Sequence, residues 1–463
     1  MNTNMRLEAD SIGTLEVPAD AYYGVQAERA ARNFQITGQH MNRDFIRNLA
    51  MIKKAAAIVN HGAGLLAKDK CDAICRAADE VIDGKWDSSF IVDSIQGGAG
   101  TSANMNMNEV IANRANEILG GGLGSYNFVH PNDDVNKAQS TNDTIPTAGK
   151  MTVLDLADAL DAELKRLETE LTKKSVEFHD VLKMGRTQLQ DAVPMTLGES
   201  FAGYASMIHR CRARLKSTAI SEMSVISLGA TAIGSGINAS AYYRTHIAAQ
   251  LSAVAGRSLT IASDLFDATE NLDGFAAVSG ALKACALSLS KMCNDLRLLS
   301  SGPRCGLNEI NLPAMQNGSS IMPGKVNPVI PEVVTQAAFL VAGHDTTITM
   351  AAEAGQLELN AFEPVTFHCL FESFTALTGA VRTLIVNCIK GITANKDRCL
   401  SLEQNSVGIA TALCPYIGYV KSAKVAKEAL RTGKSVRDVV LEHGLMSADV
   451  LDGVLDARRA VSA

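Results

Sequence analysis

Proline is missing from two long stretches of this 463-residue chain: none lies between Pro18 and Pro131, and none between Pro194 and Pro303. A proline inside a helix costs roughly 3 kcal/mol, because it removes a hydrogen bond and its ring clashes with the preceding turn. Stretches free of it leave room for long helices, and the apolar residues are spaced to use that room. Ala157, Leu160, Leu164, Leu167 and Leu171 advance by threes and fours, the spacing of one helix stripe. Leu282, Ala286, Leu289, Cys293, Leu296 and Leu299 repeat it. Residues 333–352, VVTQAAFLVAGHDTTITMAA, are apolar nearly all round, as in a helix surrounded by other helices. Alternating strand patterns are scarce. The expected fold is mostly α: a mixed, mainly helical N-terminal domain over 1–140, a central helical bundle over 141–397, and a small helical C-terminal domain over 398–463. A bundle this apolar is expected to continue across subunit interfaces, so a homo-oligomer is predicted.

Composition removes several classes of function. The net charge is −6 and the charged fraction 20%, without the basic face a nucleic-acid partner requires. No run of about 18 apolar residues occurs, so no membrane span is expected. The opening MNTNMRLEADSIG carries Glu8 and Asp10 and no apolar core, unlike a secretory signal. A cytoplasmic enzyme is expected. The ten cysteines are scattered, as for reduced thiols. Cys71 and Cys75 stand at i, i+4 on a predicted helix with no histidine at ligand spacing, so no metal site is expected there.

Four polar, glycine-rich islands interrupt the helical text: GGAGTSANMNMNE (97–109), HPNDDVNKAQSTNDTIPT (130–147), GRTQLQDAVP (185–194) and GSSIMPGKVNP (318–328). Any one alone reads as a helix connector. Together they read as the loops of a site held at the ends of rigid helices. The last resembles a phosphate loop but is not one. Gly318 and Gly324 are separated by five residues rather than four, and Val326 stands where a magnesium-binding hydroxyl belongs. The GxSxG elbow and the GxGxxG fingerprint are absent. What the islands offer is hydroxyls, amides and a few cations. That set suits a small dicarboxylate, and it suits negative charge developing beside a carboxylate.

GSSIMPGKVNP, with VPADAYYGV (17–25), QGGAGTSANMNMNE, NDDVNKAQSTND, MGRTQLQDAVPMTLG, LGATAIGSGIN (228–238), CNDLRLLSSGPR and GITANK (391–396), resembles the aspartase/fumarase superfamily over nearly the whole chain. The resemblance implies a three-domain, mostly α fold whose central helices form a twenty-helix core in a homotetramer. It also implies active sites shared by three subunits, and elimination from a succinyl-type substrate to give fumarate. Within the superfamily, Gln188 in GRTQLQDA stands where the hydratases typically carry His, and GKVNPVIPE replaces their GKVNPTQCE. SVRDVVLEHGL (435–445), LNEINLP (307–313) and MAAEAGQLELN (350–360) are similar to the ammonia-lyases, whereas HPNDDVNK and GPRC are common in fumarases. The balance predicts reversible loss of ammonia from L-aspartate. Fumarate hydration is the alternative, and a catalytically silent protein on the same scaffold a third. An ammonium group can leave as neutral ammonia without a proton donor, which fits a glutamine that cannot titrate.

The resemblance also implies residue roles. Ser319, as an alkoxide, would take the proton at C3 and leave an enediolate. Thr101, Ser140, Thr141 and Ser320 would hold the β-carboxylate, Lys325 and Asn327 the α-carboxylate, and Asn142, Thr187 and Gln188 the amino end. Arg29 is a further candidate for substrate binding. His130, near a second carboxylate site in this superfamily, is left out of the chemistry. No cofactor is required, and activation by a divalent cation such as Mg2+ is allowed. Gly318, Pro323 and Gly324 suggest a lid. Cys414, in LCPYIG, departs from the Asn usual in relatives.

Overall fold

The computed structural model describes residues 4–456; the last seven residues of the expected C-terminal domain, 457–463, lie outside them. Five long helices dominate: Thr141–Glu177, Leu197–Met223, Asp273–Leu299, Val329–Glu353 and Glu363–Asn387. Strands among the described residues form only two-stranded pairs. The helix stripes expected from spacing are buried: Leu160, Leu164, Leu167, Leu171, Leu282, Ala286, Leu289, Cys293 and Leu296 are closed to solvent. Leu299, at the end of its helix, is half-buried.

The described residues divide into two compact units. One takes the chain through Asp161, then Ala213–Ala284 and Phe339–Leu377. It opens with the antiparallel hairpin Met5–Ala9/Thr14–Pro18, paired from Met5 with Pro18 to Ala9 with Thr14. Helix Arg43–Gly62 packs against both Lys68–Ile82 and Ala241–Ala255. Asn42 starts the first of these by accepting the backbone N–H groups of Asp44 and Phe45. Phe45, Phe275, Phe367 and Phe371 stack into an aromatic core with ring centroids 5.1–6.0 Å apart. Gly149 makes room for it, since a Cβ there would lie 2.4 Å from the Phe367 ring.

The other unit holds Ala162–Arg212, Cys285–Ala338 and the chain from Thr378. Its short C-terminal helices surround Met184, Leu413, Val425, Val439, Val440 and Leu451. Its hairpin Leu182–Thr187/Gln190–Thr196 turns through Gln188 and Leu189, both at positive φ (54° and 63°). Two consecutive residues in that conformation match the right-handed twist of a hairpin, at some steric cost for side chains other than glycine. The root of the hairpin is held electrostatically. Glu309 is fully buried, accepts from Arg186 Nη1 at 2.8 Å, and lies 3.4 Å from Lys183 Nζ.

Two helices carry apolar surface that this chain covers only in part. Val329–Glu353, expected to be enclosed, leaves Val333, Phe339, Leu340 and Met350 exposed on the single chain. The stretch Glu363–Gly391 is long and apolar enough to cross a membrane by length and composition, although no uninterrupted apolar run announces it; 56% of its apolar window is buried inside the chain.

Removing one partner of a buried ion pair strands the other charges, at about 3–5 kcal/mol. Glu309→Ala is therefore expected to lower the unfolding free energy from denaturant titration by an amount of that order, whereas Lys434→Ala, whose partner Glu442 is on the surface, should change it little.

Candidate functional site

The polar islands of the first unit are stitched to one another. Residues 98–100 run through three positive φ angles (86°, 51° and 81°) and deliver Thr101 to the first position of helix Thr101–Ile118. A side chain at Gly100 would come within 2.8 Å of Ile145. The Thr101 hydroxyl is exposed and donates to the Gly98 carbonyl at 2.7 Å. One turn on, Asn104 is buried and donates through Nδ2 to Thr141 Oγ1 at 3.2 Å, which joins this helix to the next island.

Ser140 and Asp143 cap helix Thr141–Glu177 reciprocally. The Ser140 Oγ accepts the Asn142 N–H at 3.2 Å, and Asp143 Oδ1 accepts the Ser140 N–H at 2.9 Å. Asp143 Oδ2 takes the N–H groups of Gly229 and Thr231 at 3.1 and 3.0 Å, and Asn142 Nδ2 donates to the Ala232 carbonyl at 2.7 Å. The LGATAIG segment is thereby tied to the serine–threonine–asparagine run. Burial pushes Asp143 up to about 7, against the pull of its three N–H donors and of Lys53. Burial likewise pushes Lys53, from the neighbouring helix Arg43–Gly62, down to about 7, opposed by the charge of Asp143.

The second unit carries the rest. Thr187 and Gln188 stand exposed at the hairpin tip. In the 318–328 loop, the Gly318 N–H donates to the Lys325 carbonyl at 2.7 Å and Asn327 Nδ2 donates to the Gly318 carbonyl at 2.9 Å. A side chain at Gly318 would lie 2.6 Å from that Lys325 oxygen, so only glycine closes the loop at its neck. Ser319 Oγ accepts two backbone N–H groups, from Ile321 and Met322, both at 3.1 Å. Donors aimed at a hydroxyl oxygen favour its anionic form; the same two bonds also serve as an ordinary turn. Ser320 and Lys325 are exposed and Asn327 half-buried. An open cleft of about 510 Å³ beside the loop is lined by Lys325 and Asn327 together with Asn294, Arg297 and Ser301. Arg297 Nε is buried there without a hydrogen-bond partner. The arginine belongs to the motif CNDLRLLSSGPR, in which nothing local marks it as a site residue.

Arg29 lies on helix Val25–Asn33 and is already engaged. Its Nε and Nη2 grip both oxygens of Asp10 at 2.9 Å. The helix itself is fastened by two carboxylates at its N-terminus: Glu109 accepts from Gly24, Gln26 and Ala27, and Glu8 from Val25. His130 accepts the Asn132 and Asp133 N–H groups and caps its own turn. Cys71 and Cys75 are free thiols, and among the described residues no group of three or more His, Cys, Asp or Glu side chains is gathered as for a metal ion.

Long apolar helices carry hydroxyl, amide and glycine-rich loops at their ends, a set of donors suited to small carboxylates. The family model described as Lyase matches residues 13–343, and a second, described as Fumarase C C-terminus, matches 409–460. The chain belongs to this lyase family. It is 50% identical to the aspartate ammonia-lyase of a Bacillus species, over 98% of this chain and 97% of that protein. It is 51% identical to that of Helicobacter pylori (99% and 98%) and 50% identical to that of Escherichia coli K12 (99% and 96%). Among solved structures it is similar to a fumarate lyase:delta crystallin from Brucella melitensis bound to cobalt, with a TM-score of 0.96 and 47% identity, covering 99% of each chain. A class II fumarase from Schistosoma mansoni superposes with a TM-score of 0.95 at 34% identity, covering 98% of each.

Burial pushes Glu109 up to about 7, with its three N–H donors pulling the other way. A group raised in the folded state contributes stability that is complete below its ordinary value of 4.5 and lost as pH rises through about 7. Glu109→Gln cannot titrate. Its thermal midpoint minus that of the wild type should therefore become more positive as pH rises across that window; a constant difference would contradict the assignment.

Proposed function

We propose that this chain catalyses the reversible deamination of L-aspartate to fumarate and ammonia. The observation that carries the reading is identity at about half of all positions, sustained over nearly the full length, with aspartate ammonia-lyases from several bacteria.

The chemical obstacle is the C3 proton, which lies next to a carboxylate and is very weakly acidic. Its removal places a second negative charge on that carboxylate as an enediolate. Donors aimed at the developing charge lower this barrier, and losing one typically costs about 10²–10³ in rate. In this reading Thr101, Ser140, Thr141 and Ser320 are those donors. Lys325 and Asn327 hold the α-carboxylate, and Asn142, Thr187 and Gln188 position the amino end. Ser319 is the base. The two N–H groups on its oxygen support that role, and the pinned neck at Gly318 supports a loop that closes as one body over substrate.

The assembly in this reading is a homotetramer with each site drawn from three subunits, in the cytoplasm. The apolar residues exposed on Val329–Glu353 support an oligomer, because a helix with Phe339 at 65% and Met350 at 67% exposure requires cover in water. The bond-breaking step uses no cofactor, and Mg2+ acts at most as an activator, tested by turnover with and without it.

The similarity to a class II fumarase keeps one competing substrate in view. Ultraviolet absorbance of fumarate is expected to rise with L-aspartate and not with L-malate; the reverse pattern would transfer the chain to the hydratases. Ser319→Ala should lose about 10²–10⁴-fold in kcat while keeping the wild-type oligomer by size-exclusion light scattering. Turnover close to wild type would remove Ser319 as the base.

A further inference from the structure

Lys53 is closed to solvent inside helix Arg43–Gly62, where an ammonium is costly to bury. Its Nζ donates to Asn104 Oδ1 at 2.6 Å, Asn136 Oδ1 at 3.0 Å and Gln139 Oε1 at 3.0 Å. Three acceptors for three protons is the pattern of an ammonium, which has no lone pair to offer. The three amides are turned the same way, oxygens toward Lys53, whose 2.6 Å bond to Asn104 Oδ1 is much shorter than the 3.4 Å donation that oxygen also receives from Thr144 Oγ1. Asn136 Nδ2 donates to the Gln139 carbonyl, and Gln139 Nε2 to those of Val135 and Lys137. Asn104 Nδ2 donates to Asn136 Oδ1 at 3.1 Å and to Thr141 Oγ1 at 3.2 Å.

The consequence falls on Thr141. Its oxygen receives an N–H from behind, and among the described residues its own hydroxyl hydrogen has no acceptor. Were the Asn104 amide reversed, its oxygen would face Thr141 and draw that hydrogen inward. We propose that Lys53 is a positioning residue for the lyase reaction: by fixing the Asn104 amide it keeps the Thr141 hydroxyl hydrogen directed outward, for the carboxylate that gains charge. This rests on the dicarboxylate reading given above. Lys53 itself touches no substrate, and no bond to it forms or breaks.

A double-mutant cycle on kcat separates this role from simple support of the fold. Thr141→Ala should lower kcat by about 10²-fold, the loss of one donor. Lys53→Met should lower it by about 10–100-fold, with KM for aspartate within about threefold of wild type. The double variant should be no slower than Thr141→Ala by more than about threefold, because the hydroxyl that Lys53 directs is then already gone. Losses that multiply, or a Lys53→Met enzyme within about threefold of wild type, would overturn the proposal. If Lys53→Met does not assemble, Asn104→Ala with Thr141→Ala decides the question by the same criteria. If the wild type itself releases no fumarate from aspartate, the proposed function fails separately. Calorimetric titration with fumarate then completes the cycle, non-additive weakening supporting the role of Lys53 and additive weakening overturning it.

Discussion

A carboxylate with no access to water stands at the head of the longest helix. Asp143 gives one oxygen to the N–H of Ser140 and the other to those of Gly229 and Thr231. Taking a carboxylate out of water costs several kcal/mol, and those donors recover the cost only while all are in place. The start of the helix, the Ser140–Asn142 run and the LGATAIG segment are therefore held as one piece. Lys53 supplies the opposing charge and ties in the helix that begins at Thr101, through Asn104. The Ser140 and Thr141 hydroxyls can stay in register only on such a base, since each side chain alone has free rotation.

The molecule separates two tasks. Leucine, alanine and cysteine stripes, closed to solvent, give the long helices rigidity. Hydroxyl and amide side chains gather instead in short polar loops, where geometry depends on close backbone approach. Gly318 against Lys325, and Gly100 against Ile145, are positions where a single added methyl group would force the loop open. The hairpin tip reaches its shape without glycine, Gln188 and Leu189 taking positive φ at some steric cost, while the buried Glu309–Arg186 pair anchors the hairpin root. Strain held against a stiff support is what lets a loop present a side chain in one direction.

Some of this was legible in the residues and some was not. The step of three and four that marks Leu160 to Leu171 is a property of one helix, so reading it required no neighbour, and those leucines are buried. The motif GSSIMPGKVNP was conspicuous because its glycines and prolines are unusual among helices. Lys53 was invisible: in MIKKAAAIV it is one of two adjacent lysines, and only packing sends it inward while Lys54 pairs with Asp79 at a half-exposed surface. Arg29 was noticed, but its partner Asp10 sits on a hairpin that spacing does not reveal. Residues 333–352 read as enclosed, yet a helix apolar on every side can be covered only partly by its own chain.

Local pattern specifies the helices, their buried stripes and the polar character of the interrupting loops, because these depend on contacts between near neighbours and on the water-avoidance of each residue. Tertiary structure decided which lysine became a buried ammonium, which carboxylate was shut away from water, and which way the Asn104 amide faces. Those outcomes depend on groups dozens of residues apart, whose desolvation and hydrogen bonds exist only once the chain has brought them together.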